Sequence, residues 1–126
     1  MTKAINLINK YSIVTGASGF IGSSVAIKLA THGSNLILID IDYNQLNKLS
    51  KKLKKLNKKI KVDIVTSDLS KELERKDLIK YIKVNYNKID IMVNSIGMVG
   101  TDTSDGWNVE YEKQSLDAWD KCIGVN

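Results

Sequence analysis

A chain of 126 residues holds one domain at most. Hydrophobic residues make up 43% of it and proline is absent, which suits a packed core and excludes collagen-like and Pro-rich disordered classes. The formal net charge is +5, and a single cysteine, Cys122, excludes an internal disulfide and suits a reducing compartment.

Met1 to Lys10 mixes polar and apolar residues and lacks the apolar core of a secretory signal. Ser12 to Val14 reads as a first strand, stopped by Thr15 and Gly16. Gly19 and Gly22 follow, and a helix is predicted from Gly19 to Thr31 with Ile21, Val25, Ala26, Leu29 and Ala30 on one face. Strand, glycine turn and helix begin a dinucleotide-binding unit. Gly16 permits the tight turn, Gly19 lets main chain approach a diphosphate, and Gly22 lets helix pack on strand. The open N–H groups and positive dipole end of that helix would face the phosphates, with the Ser18 hydroxyl beside them.

A glycine triplet alone also reads as a flexible turn that binds nothing. The context that decides is a second strand ending in an acid. His32-Gly-Ser34 ends the first helix, and Asn35-Leu-Ile-Leu-Ile39 reads as a buried strand followed at once by Asp40, where a carboxylate takes the ribose hydroxyls. His32, the lone histidine, reads as an exposed turn residue.

A second helix is predicted from Tyr43 to about Asn57, with Leu46, Leu49, Leu53 and Leu56 as its apolar seam. Eight lysines between Lys48 and Lys61 occupy its remaining surface and the exit, and read as a solvated face. No aromatic residue is interleaved with them, which argues against stacking on single-stranded nucleic acid. Lys61 to Ser67 favours a third strand, and Asp68-Leu-Ser70 a cap for a third helix running to about Tyr86, with Leu78, Ile79, Ile82 and Tyr86 inward. Ile89 to Val93 is the expected fourth strand, closing on Asn94-Ser-Ile-Gly97. Met98 to Gln114 has no period and reads as a long loop after a strand's C-terminal end, where ligands sit in open α/β sheets or where a plain surface loop runs. Ser115 caps a last helix in which Leu116, Trp119 and Ile123 share a face, with Cys122 and Val125 beside it. The fold class is therefore α/β, a Rossmann-type doubly wound parallel sheet in strand order three, two, one, four. No apolar run reaches the length of a membrane span, and a soluble cytoplasmic protein is expected, with neither nucleic acid nor membrane as partner.

Thr15-Gly-Ala-Ser-Gly-Phe-Ile-Gly22, Asp40, Asp68-Leu69, Asn94-Ser-Ile-Gly97 and Trp119-Asp-Lys-Cys-Ile-Gly-Val-Asn126 together resemble the short-chain dehydrogenase/reductase family, over the front half of such a protein. The resemblance implies that Gly16, Ser18, Gly19, Phe20, Ile21 and Gly22 cradle the pyrophosphate. It implies that Asp40 holds the adenosine ribose, Asp68 and the Leu69 backbone hold adenine, and Asn94 and Gly97 border the nicotinamide ribose. Asn126 aligns with the helix asparagine whose carbonyl holds a water in the proton relay. The Asp40 charge would repel a 2′-phosphate, so NAD is expected over NADP. The partners implied are a dinucleotide and a small-molecule alcohol or carbonyl substrate, no metal, and a homo-oligomer of the whole enzyme.

Two departures stand out. Glycines at 16, 19 and 22 follow the extended, sugar-modifying branch, since the ordinary branch has its middle glycine where this chain has Phe20. The motifs at Asn94 to Gly97 and Leu116 to Asn126 fit the ordinary branch. The family also uses a tyrosine with a lysine four residues on, which lowers the tyrosine's pKa. Tyr11, Tyr43, Tyr81, Tyr86 and Tyr111 are followed there by Thr15, Asn47, Asn85, Asp90 and Ser115. The expectation is a dinucleotide-binding domain over 1–126 that stops before the catalytic pair. The alternatives are a nucleotide-sugar epimerase or dehydratase, and a non-catalytic nucleotide-binding module.

Overall fold

The computed structural model describes residues 5–97 and 109–126. They fall into two compact units, one ending at Ser95 and one starting at Ile96. The long loop expected from Met98 lies mostly outside the described residues.

In the first unit the elements run β1 (Tyr11–Thr15), α1 (Phe20–Thr31), β2 (Asn35–Asp40), α2 (Tyr43–Leu56), β3 (Val62–Thr66), α3 (Glu72–Asn85) and β4 (Ile91–Asn94). The strands form one sheet in the order β3-β2-β1-β4, as the alternation of strands and helices predicts. All three pairings are parallel. The register sets Thr15 opposite Ile39 and Asn94, and Asp40 opposite Thr66, so the strands end level along one edge.

Strand alternation sends side chains to two faces. Val14, Leu36 and Leu38 meet Ala26 and Ala30 of α1 and Leu46, Leu49 and Leu53 of α2. Ile13, Ile37 and Ile39 meet Leu78 and Ile82 of α3 together with Tyr86. The sheet thus carries helices on both faces, the layered solution for a parallel sheet.

Helical periodicity locates faces but not how they are covered. In α1 the buried stripe is Gly22, Ala26 and Ala30, while Ile21 is 68% exposed, because the helix meets the sheet through its smallest residues. Ile79 lies one step off the Leu78–Ile82 stripe of α3 and faces out rather than in. Leu56 ends the α2 seam half-exposed. The lysine face of α2 is as expected: Lys48, Lys51, Lys52, Lys54 and Lys55 are exposed, and none forms an ion pair among the described residues. His32 is half-buried, not exposed, with Nδ1 3.1 Å from the Ile5 carbonyl oxygen. It caps α1 ahead of Gly33, whose φ of 91° closes a Schellman turn: Gly33 N–H donates to Ala30 O and Ser34 N–H to Leu29 O.

Two polar contacts pin the far edge of the sheet. The hydroxyls of Tyr86 and Tyr81 both donate to Asp63 Oδ2, and burial with that bond raises the Tyr86 hydroxyl far above its ordinary range. Asp90, just before β4, accepts from Lys88 Nζ at 2.6 Å, Tyr11 N–H at 3.1 Å and Lys10 Nζ at 3.4 Å. The Lys88 ammonium foremost, then the Tyr11 N–H, hold its carboxyl down to about 2. A folded value below the ordinary ~3.9 means stability that is complete above that value and lost as pH falls through about 2. Acid titration of thermal melts should therefore show a limb between roughly pH 4 and pH 2 that Asp90→Asn flattens. An unaltered limb would show that this ion pair contributes nothing.

The second unit holds a short 3-10 helix, Tyr111–Lys113, and α4 (Leu116–Val125). Ser115 caps α4 as its sequence predicts, its hydroxyl accepting from Ala118 N–H. The buried residues are Ala118 and Cys122, while Leu116, Trp119 and Ile123 are exposed. The helix has two apolar stripes, and periodicity does not choose between them. Among the described residues no helix is long and apolar enough to cross a membrane.

Candidate functional site

The C-terminal edge of the sheet gathers the residues singled out in the first unit. β1 gives way at Gly16, which turns at φ 62°, and Ala17 N–H reaches across to Ile39 O at 3.1 Å. The turn then closes on itself, with Gly19 N–H donating to Gly16 O. Gly19 caps α1 with no side-chain acceptor, and no acidic residue lies in the first turn. The positive end of the helix is therefore left for an external anion. Phe20 is 92% exposed, so its ring does not fill the cradle from within.

Gly22 is where helix, turn and strand come closest. A Cβ there would stand 2.1 Å from Gly16 O and 2.7 Å from Ser95 Oγ. Ser95 is itself tied to β1: its hydroxyl donates to Thr15 O at 2.5 Å and its N–H to the same oxygen at 3.3 Å. The end of β4 is thus sewn to the end of β1 beside the turn.

Asp40 closes β2. Its Oδ2 accepts from Ser18 N–H at 3.0 Å, and its Oδ1 from Ile41 N–H at 2.8 Å and Asp42 N–H at 3.3 Å. The acid expected for a ribose therefore also braces the glycine turn. None of the ion pairs among the described residues involves it.

Asp68 and Leu69 follow β3. Asp68 does not cap α3: Lys71 holds that position, and Asp68 Oδ1 accepts from Ser70 N–H at 3.1 Å and Ser70 Oγ at 2.6 Å. These bonds, the Ser70 hydroxyl first, lower its carboxyl. The Leu69 side chain packs with the cluster under α3. Asn94 ends β4, exposed at the same edge. Glu74 and Arg75, whose side chains reach back to the main chain of Asp68 and Leu69, stand outside every motif named above. Ser67, buried between Thr66 and Asp68 with no partner for its hydroxyl among the described residues, was also missed. The acid six residues after Asp68 was the one available signal.

Gly97 and Asn126 belong to the second unit and lie together there, an added Cβ on Gly97 standing 3.8 Å from Asn126 Oδ1. Asn126 ends α4, its N–H donating to Cys122 O at 3.0 Å.

The turn with its open helix end and the acid after β2 are the parts a dinucleotide requires, and the residues present fit one. Comparison with known proteins agrees in kind. A family profile described as short chain dehydrogenase matches residues 10–126. The chain belongs to the short-chain dehydrogenase family. It is 32% identical over 122 residues to an uncharacterized oxidoreductase of Staphylococcus saprophyticus, covering 97% of this chain and 49% of that protein. It is 33% identical over 91 residues to a diacetyl reductase, (S)-acetoin forming, of Staphylococcus epidermidis, covering 72% of this chain and 35% of that one. L-sorbose reductase from Gluconobacter frateurii, solved with NADPH and L-sorbose, superposes with a TM-score of 0.82 at 20% identity, covering 98% of this chain and 44% of its own. At that identity the likeness carries the fold. The chain spans about half the length of the curated short-chain dehydrogenase relatives it matches.

Proposed function

We propose that the chain is the cofactor-binding half of an NAD-dependent oxidoreductase acting on an alcohol or carbonyl carbon of a small molecule. The observation that carries this is the Asp40 carboxylate at the end of β2, bonded to the glycine turn and in no ion pair among the described residues. Such a carboxylate accepts from both ribose hydroxyls and repels a 2′-phosphate. Gly16, Ser18, Gly19, Phe20, Ile21 and Gly22 would hold the diphosphate, and Asp68 with Leu69 the adenine. Asn94 and Gly97 would border the nicotinamide ribose, and Asn126 would hold a relay water. The bound dinucleotide supplies hydride transfer, while these residues bind and orient it. The kinship with a diacetyl reductase supports a carbonyl compound as substrate.

None of the five tyrosines has lysine four residues on. The proposal therefore assigns the acid/base pair, and assembly into a homo-oligomer, to the length of the relatives that these residues do not span. A cytoplasmic setting belongs to the same reading. The glycine spacing favours an extended-branch epimerase or dehydratase as second reading, against the match to the dehydrogenase profile.

Calorimetry tests it. NAD should bind with NADP at least roughly tenfold weaker, and the 126 residues alone should not reduce NAD with any of a panel of alcohols. Tighter binding of NADP would overturn the choice of cofactor, and absence of heat with either would overturn the site.

A further inference from the structure

We propose that Glu74 and Arg75 are positioning residues for adenine recognition, holding the main chain of Asp68 and Leu69 from the first turn of α3. The inference rests on the dinucleotide reading above and names how one end of that site is built.

Asp68 N–H donates to Glu74 Oε2 at 2.6 Å, and Arg75 Nη1 donates to Leu69 O at 2.7 Å. Consecutive residues of the helix thus grip consecutive residues of the loop, one as acceptor and one as donor, each across six positions. Helix capping alone does not ask for this. In a capping box the carboxylate at the third helical position returns to the N–H of the cap residue. Here Glu74 is that third residue and Lys71 the cap, yet the carboxylate passes Lys71 and takes the N–H of Asp68. Lys71 N–H is satisfied by Asp68 O at 3.0 Å instead. Lys71 Nζ then bridges the two acids, at 3.0 Å from Glu74 Oε1 and 3.4 Å from Asp68 Oδ2. The Asp68 N–H foremost, and then Lys71, hold the Glu74 carboxyl below its ordinary range, so it is ionised when it grips the loop.

The loop is fixed from the other side as well. Asp68 Oδ1 is turned onto Ser70, and the Leu69 side chain is seated in the cluster under α3. Glu74 and Arg75 hold the peptide groups on either side of the Asp68–Leu69 peptide, and Lys71 N–H takes Asp68 O between them, so the path of the loop is set before any ligand arrives and adenine would be read by groups that need no rearrangement.

The test compares NAD with nicotinamide hypoxanthine dinucleotide, which differs at the adenine amino group, by calorimetry on the parent chain and on Glu74→Ala, Glu74→Gln and Arg75→Met. Glu72→Gln serves as control, because its pair with Lys76 is exposed and touches no loop residue. Glu74→Ala and Arg75→Met should each weaken NAD roughly tenfold and shrink its advantage over the hypoxanthine analogue. Glu74→Gln, which keeps an acceptor oxygen, should recover part of both, and the control should match the parent. Melting curves establish that each variant is folded. Equal weakening of the two dinucleotides, or no change in either, in folded variants would overturn the proposal and leave the pair a merely structural brace. A parent chain that binds neither dinucleotide would instead sink the reading on which the proposal rests.

Discussion

A Gly22→Ala chain is expected to lose NAD binding and much of its stability together. One methyl group at that position would stand 2.1 Å from Gly16 O and 2.9 Å from Gly16 C, both main chain, so a shift of the Ser95 hydroxyl at 2.7 Å would not relieve the clash. To make room, α1 must tilt off β1 or the turn must open, and either shift displaces the helix end proposed to hold the diphosphate. Overpacking of this kind costs about 3 kcal/mol, which for a domain of this size lowers the melting temperature by roughly 10 °C. Gly124→Ala is the matched comparison. It lies inside α4 with nothing within 4 Å of an added Cβ, so alanine should be neutral or stabilising by up to about 1 kcal/mol. If scanning calorimetry found the two variants alike, the close approach at Gly22 would not be limiting.

Removing the carboxylate of Asp40 should change affinity and preference at once. Asp40→Ala withdraws the acceptor for Ser18 N–H and, on the proposed reading, for the ribose hydroxyls, both charge-assisted bonds. NAD should weaken on the order of 10- to 100-fold. NADP should weaken far less, or tighten. A carboxylate about 4 Å from a phosphate costs it on the order of 4 kcal/mol per unit charge near a protein surface, and the variant lifts that cost. The ratio of the two dissociation constants is therefore the informative quantity. A variant that still rejects NADP as strongly as the parent would place the discrimination elsewhere.

Strand order, the glycine turn and the position of Asp40 were legible because each is a local pattern. Runs of β-branched residues, glycines at fixed offsets and an acid directly after a strand all speak within a few positions. Burial was less legible. Ile21, Ile79 and Leu116 sit on apolar stripes, but a stripe does not reveal which of two neighbouring faces is buried, and all three are exposed. The grip of Glu74 and Arg75 on the loop after β3 was hidden for another reason. It joins side chains to main chain across a turn, so it depends on the loop's path and leaves no period. His32 looked like a bare turn residue because its partner, the Ile5 carbonyl, lies 27 positions earlier.

The central place of β1 in the sheet has a consequence for how the chain acquires its shape. Contacts from the first turn to the end of β2 span 22 positions, as in the Ser18–Asp40 bond, whereas those to the end of β4 span 80, as in Ser95 to Thr15. Closing the wider loop costs only about 1 kcal/mol more in chain entropy, but on a ribosome it must wait for synthesis. β1 leaves the exit tunnel with one flank open until β4 is made. During that interval its unpaired side is a template for another nascent chain, and slow translation through α3 would lengthen the exposure.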